Sequence, residues 1–156
     1  MLDIQTSANP TPVTSVNGWI VIQQRIDGSQ SFDQNWDTYK LGFGTYYKNF
    51  WLGLEKMHQL TTSADYRLRF EVLINGDICD FLNHPNLDFV HNGMHFSAPD
   101  RDNDLYSNYS CAFDYSTGNW YNKCYYQRLN GVYGISFDYA YSPATYCRMM
   151  VKRNGQ

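Results

Sequence analysis

Asp100, Asp102 and Asp104 alternate in the string DRDND, a pattern suited to a hard cation. Calcium takes about 6 to 8 oxygen ligands, so closely spaced carboxylates supplemented by backbone carbonyls match its needs. An EF-hand is excluded. Counted from Asp100, the sixth position is Leu105 where that loop requires Gly, and the twelfth is Cys111 where it requires Glu. The competing reading of the same residues is a solvated acidic turn without metal. His84, His91 and His95 stand near these aspartates, and a His/Asp cluster can hold an activating metal. No Ser-His-Asp or Cys-His arrangement has the sequence context that nucleophilic catalysis needs.

The cysteines are Cys79, Cys111, Cys124 and Cys147, with no CxxC pair, which disfavours structural zinc and favours disulfides. Cys111 and Cys124 enclose a short polar loop and are the expected bridge. Closing a loop of that length contributes on the order of 3 kcal/mol. Cys79 and Cys147 form a second bridge or stay as buried thiols, and the sequence leaves both open. Asn108-Tyr109-Ser110 is a glycosylation sequon, which agrees with secretion.

The elements that must position these groups change character along the chain. Residues 18–26, GWIVIQQRI, read as a strand. Phe32, Trp36, Tyr39 and Phe43 then fall at helical spacing, with Ser31 as the expected N-cap, Gln34 three residues on, and Gly42 and Gly44 at the stop. A second helix is expected over Leu54 to Leu60, with Thr61, Thr62, Ser63 and Asp65 as a turn. Tyr66 to Ile74 alternates apolar with Arg67, Arg69 and Glu71 as a half-buried strand, and a last strand is expected over Tyr146 to Lys152. Between them Gly, Asn, Asp, Ser and Tyr dominate, so loops carry the second half and the class is α+β.

Composition narrows the function classes. The chain has 156 residues, 12 Lys and Arg against 15 Asp and Glu, and a net charge of −3, which makes one domain without a basic surface for nucleic acid. Its 14 Tyr, 9 Phe and 4 Trp exclude disorder and suit either a Tyr-rich core or a recognition surface. No run approaches the roughly 18 apolar residues of a membrane span, so membrane insertion is not expected. Residues 1–10 lack the marks of a signal peptide, which leaves a cytosolic chain and a mature or excised extracellular domain both open; the cysteines favour the second.

Read in order, GWIVIQQRIDGSQSF (18–32), NWDTYKLGFG (35–44), FWLGLEKMHQLT (50–61), YRLRFEV (66–72), HNGMHFS (91–97), DRDND (100–104), NWYNKC (119–124) and LNGVY (129–133) resemble the fibrinogen C-terminal, or fibrinogen-related, domain. That family includes fibrinogen chains, ficolins, tachylectins, angiopoietins and tenascins. The resemblance implies a central antiparallel sheet with two short helices and a loop-rich binding part at about 91–145. A short lead, 1–17, precedes the domain, 18–153. The chain is a shortened form: it lacks the family's first cysteine pair, the longer stretch between Val72 and His91, and the Trp-containing segment after Tyr133.

The resemblance also assigns roles. It makes Asp102 and Asp104 carboxylate ligands of Ca2+, with Tyr106 as a carbonyl ligand and Asn108 where the family usually has Gly. Asn tolerates the left-handed conformation such a turn needs. It implies a cis peptide at Lys123–Cys124 that turns backbone N–H groups toward a shallow pocket, with Tyr115 as one aromatic wall. Tyr125 stands where acetyl-binding members place His, and Tyr139 or Tyr141 supplies the remaining wall. The implied function is non-enzymatic: a secreted, calcium-stabilised lectin for acetylated glycan groups in innate defence. The alternatives are a module for a protein partner and a shortened domain that has lost binding. Single shallow pockets bind weakly, so a homo-oligomer is an expected source of avidity.

Overall fold

The computed structural model describes residues 3–4, 11–12, 15–79, 91–124 and 127–155. In chain order the elements are β1 (Asp3–Ile4), β2 (Thr11–Pro12), β3 (Ser15–Val16), β4 (Trp19–Arg25), α1 (Trp36–Leu41), β5 (Phe43–Gly44), β6 (Phe50–Trp51), α2 (Leu54–Thr62), β7 (Tyr66–Ile74), β8 (Asp77–Cys79), α3 (Cys111–Tyr115), β9 (Gln127–Arg128), β10 (Asp138–Tyr139), β11 (Ser142–Pro143) and β12 (Tyr146–Arg153). The main sheet is antiparallel in the order β5-β6-β4-β12-β7-β8. A small sheet, β11-β10-β9, lies in the loop-rich half. This is the expected α+β architecture.

The long strands follow their sequence. β4, β7 and β12 are rich in β-branched and large apolar residues, and β12 pairs with β7 in unbroken register from Tyr146↔Leu73 to Arg153↔Tyr66. β3 and β4 form a hairpin across Asn17-Gly18, both at positive φ (50° and 77°), the geometry of a two-residue type I′ turn. The Asn-Gly pair is a strong hairpin signal that a strand reading of 18–26 passes over.

Helix α1 starts later than its spacing predicts. Asn35, not Ser31, is the N-cap, its side chain accepting from the Thr38 N–H at 2.9 Å. Ser31 instead accepts from the Asp33 N–H at 3.2 Å in a local turn. The cause is Phe32, drawn off the helix axis into the core against Phe43 (centroids 4.9 Å apart) and under the Arg25 guanidinium (4.2 Å). At the other end Gly42 takes φ 97°, and a Cβ there would strike the Leu52 carbonyl. Helix α2 runs to Thr62, two residues past its expected end, and accommodates the Thr61 and Thr62 hydroxyls by their donating back to the Met57 and His58 carbonyls at 2.8 and 2.7 Å.

The core is aromatic, and the polar tips of Tyr39 and Trp51 within it are hydrogen-bonded. Tyr39 packs edge-on against Trp51 and Phe43, each at 5.3 Å, while its hydroxyl donates to the Phe32 carbonyl at 2.6 Å and accepts from the Gly118 N–H at 3.2 Å. Trp51 Nε1–H donates to the Tyr39 carbonyl at 2.9 Å. Burial of this kind raises the Tyr39 pKa.

The strand order also settles one cysteine. Cys147 pairs with Val72, which pairs with Cys79, so β7 lies between the two cysteines. Two strand spacings separate their backbones by about 10 Å, too far to bridge. Cys147 is a free, buried thiol with its pKa pushed up to about 12 by desolvation.

Candidate functional site

The acidic loop is pinned at both ends. Asn103 donates through its backbone to Ser97 Oγ at 3.0 Å and through its side chain to the Phe96 carbonyl at 2.8 Å. Asp100 accepts the Trp36 N–H at the start of α1 (2.7 Å), which ties the loop to that helix. Asp102 accepts from the Asp104 N–H at 3.1 Å. Asp104 accepts from Tyr106 N–H with one oxygen at 2.8 Å and from Cys111 N–H with the other at 2.9 Å. The second of these bonds ties the loop to α3, whose N-cap Ser110 accepts from the Phe113 N–H.

Calcium can be tested against these donors. Desolvation and the neighbouring Asp102 carboxylate raise the Asp104 pKa, although its two backbone donors act the other way. Two carboxylates thus share a partly desolvated loop and repel each other. Each Asp104 oxygen keeps a lone pair beyond its backbone bond, and so does the Tyr106 carbonyl, which accepts from the Tyr109 N–H at 3.2 Å. Asn108 holds the left-handed turn at φ 68°. The donor set suits calcium. Among the described residues no group of three His, Cys, Asp or Glu side chains converges, so the remaining ligands would be carbonyls and water. His91 is turned elsewhere, its Nδ1–H donating to the Trp120 carbonyl at 2.7 Å, and burial lowers its pKa.

Beside this loop the Cys111–Cys124 disulfide is formed, with its Cα atoms 5.2 Å apart. The peptide at Lys123–Cys124 is not cis: the described residues contain no cis bond. A non-proline cis bond costs about 3 to 4 kcal/mol, and the chain turns here through Cys124 at φ 75° instead. Lys123 is exposed and Cys124 half-buried. Tyr125 lies outside the described residues.

The expected tyrosine walls separate. Tyr115 ends α3 half-buried, 6.4 Å from the Tyr121 ring, with the Arg128 guanidinium 5.0 Å above its own. Tyr139 does not join it. The β9–β10 register sets Tyr139 opposite Gln127 and Asp138 opposite Arg128, and side chains alternate faces along a strand. Tyr139 therefore enters the main core, while Asp138 and Arg128 face Tyr115. Tyr141 is exposed at φ 61° in the two-residue β10–β11 turn.

An ion pair beside Tyr115 thus escapes a reading of the sequence. Arg128 Nε donates to Asp138 Oδ2 at 3.1 Å, its Nη2 pairs with the same oxygen, and the buried Asp138 Oδ1 has no hydrogen-bond partner among the described residues. Only the closure of the small sheet brings them together, and no local spacing signals it.

The family model for the C-terminal globular domain of fibrinogen beta and gamma chains matches residues 12–79 and 66–145. Bovine fibroleukin (Bos taurus) is 35% identical over 152 residues, covering 77% of this chain and 34% of its own. The rat (Rattus norvegicus) fibrinogen gamma chain is 38% identical over 163 residues, covering 76% of this chain and 36% of its own. The chain therefore spans about a third of the length of these curated relatives. Among solved structures, lamprey fibrin D-dimer complexed with the peptide ligand Gly-His-Arg-Pro-amide superposes at a TM-score of 0.80 with 27% identity, covering 96% of this chain and 66% of that one. With strand order, disulfide and sequence in agreement, the chain belongs to the fibrinogen C-terminal globular domain family.

Proposed function

We propose that this domain is a secreted, non-enzymatic recognition module, stabilised by calcium at Asp102 and Asp104, that binds a basic peptide segment of a protein partner. The observation that carries the peptide reading is the Asp138 carboxylate. One of its oxygens is paired to Arg128 and the other is buried without a partner, an arrangement whose cost is offset when a ligand amine or guanidinium supplies a donor. The peptide bound by lamprey fibrin carries such groups.

A second reading, an acetyl-group lectin, is favoured by the half-buried Tyr115 ring beside the disulfide, next to the left-handed backbone of Cys124. Against it, Arg128 covers Tyr115 and Tyr139 belongs to the core.

Competition decides between them. Gly-His-Arg-Pro-amide is titrated against the disulfide-intact protein in calcium, with the wild type and Asp138→Asn compared. Saturable binding lost in D138N, and indifferent to N-acetylglucosamine, supports the peptide reading. Displacement from an acetylated resin by N-acetylglucosamine moves the assignment to the lectin. Binding of neither leaves a domain that has kept the fold and lost its ligand. In the same protein, calcium replacing EDTA should raise the unfolding midpoint, by about 2.7 kcal/mol of stability at a hundredfold excess over Kd. A calcium-blind transition overturns the metal assignment.

A further inference from the structure

Away from the Tyr115 site, between α2, the β7 side of the main sheet and the turn at His91–Met94, lies a cavity of about 1170 Å3. Small-molecule sites occupy about 300 to 1,000 Å3, so this space is ample for one. Its floor is apolar and comes from the main core: Met57, Phe70, Phe96 and Trp120. Its mouth carries charge. Trp36 and Lys40 stand one turn apart on the same face of α1, and the Arg101 guanidinium lies 4.1 Å over the Trp36 ring.

Cations outnumber carboxylates here: among the described residues Lys40, Arg67 and Arg101 line the cavity against Glu55 and Asp65. Neither Lys40 nor Arg101 has a carboxylate partner among the described residues. The two carboxylates that line it among the described residues keep their charge but are held by neighbouring amides: Glu55 accepts from Gln59 Nε2 at 3.2 Å, and Asp65 accepts from Asn154 Nδ2 at 2.8 Å. An aromatic floor with two unpaired cations around a Trp ring at its mouth suits an apolar body that ends in one negative charge.

We infer that this cavity binds an anionic amphiphile, with the anionic head between Lys40 and Arg101 and the apolar body over Phe70, Phe96 and Trp120. The inference is independent of the peptide site, since no residue of the Asp138–Arg128–Tyr115 group lines the cavity.

Dibromostearate tests it, because bromine quenches indole emission at contact and Trp36 and Trp120 both line the cavity. The expected result is quenching that saturates at one equivalent, is reversed by unbrominated stearate and is weaker for the neutral dibromo alcohol. The double variant Lys40→Gln/Arg101→Gln, at two exposed positions, should raise Kd for the acid about tenfold, equivalent to about 1.4 kcal/mol, and leave the alcohol unchanged. Quenching that grows linearly without saturation, that is absent, or that ignores the double variant overturns the inference. Each arm is read at an unchanged thermal midpoint, which separates loss of binding from loss of fold.

Discussion

At the scale of single residues, burial decides what each titratable group can do. His91 is the clearest case. Desolvation lowers its pKa and outweighs the opposing effect of the Nδ1–H bond to the Trp120 carbonyl, so folding favours the neutral imidazole relative to the unfolded chain. An unfolded histidine near its ordinary pKa takes up a proton that the native one refuses. The unfolded state thus binds more protons in this window, and stability rises with pH across it. The expected outcome is that the urea midpoint of the wild type falls between about pH 7 and about pH 5 more steeply than that of His91→Gln. Equal slopes would place His91 in contact with water.

At the scale of elements, the polar loops of the second half depend on staples. The bridge between Cys111 and Cys124, 13 residues apart, closes the loop that carries α3 and the Lys123 turn. Leu105 N–H donates to the Asn122 carbonyl at 3.0 Å, so the acidic loop rests on the same segment. Removing the bridge as Cys111→Ala/Cys124→Ala should cost about 3 kcal/mol by the chain-entropy argument, read as a shift in the denaturant midpoint. It should also weaken calcium binding, since Asp104 holds the Cys111 N–H. A pair variant with wild-type midpoint and calcium response would detach the bridge from the site.

At the scale of the whole molecule, a buried polar seam joins the main sheet to the loop-rich half. Gln23 Nε2 donates to the Leu129 carbonyl and to Asn130 Oδ1, both at 3.0 Å, and Asn130 Nδ2 donates to the Gly118 carbonyl at 2.9 Å. The buried Arg25 guanidinium donates to the Gly131 carbonyl and lies among Phe32, Phe137 and Tyr133. Such networks are costly to leave half-made, because each orphaned group keeps its full desolvation penalty. Asn130→Ala strips two of these bonds and should destabilise the fold by about 1 to 3 kcal/mol, measured by chemical denaturation. A change within about 0.5 kcal/mol would mean that water replaces the side chain.

What the sequence by itself determined is local. Alternation in 66–74, the β-branched run from 19 to 25, the helical spacing around Tyr39 and the short Cys111–Cys124 loop each encode their element in adjacent residues, and the ordered family strings encode the family. Three matters were decided by tertiary structure alone. Phe32 left its helix because the core at Arg25 and Phe43 outcompeted the Ser31 cap. Cys147 stayed a thiol because β7 runs between it and Cys79, a fact of strand order and not of spacing. Tyr139 went to the core while Asp138 joined Arg128 because a one-residue step along a strand reverses the face, and that step is fixed only when β9 and β10 pair.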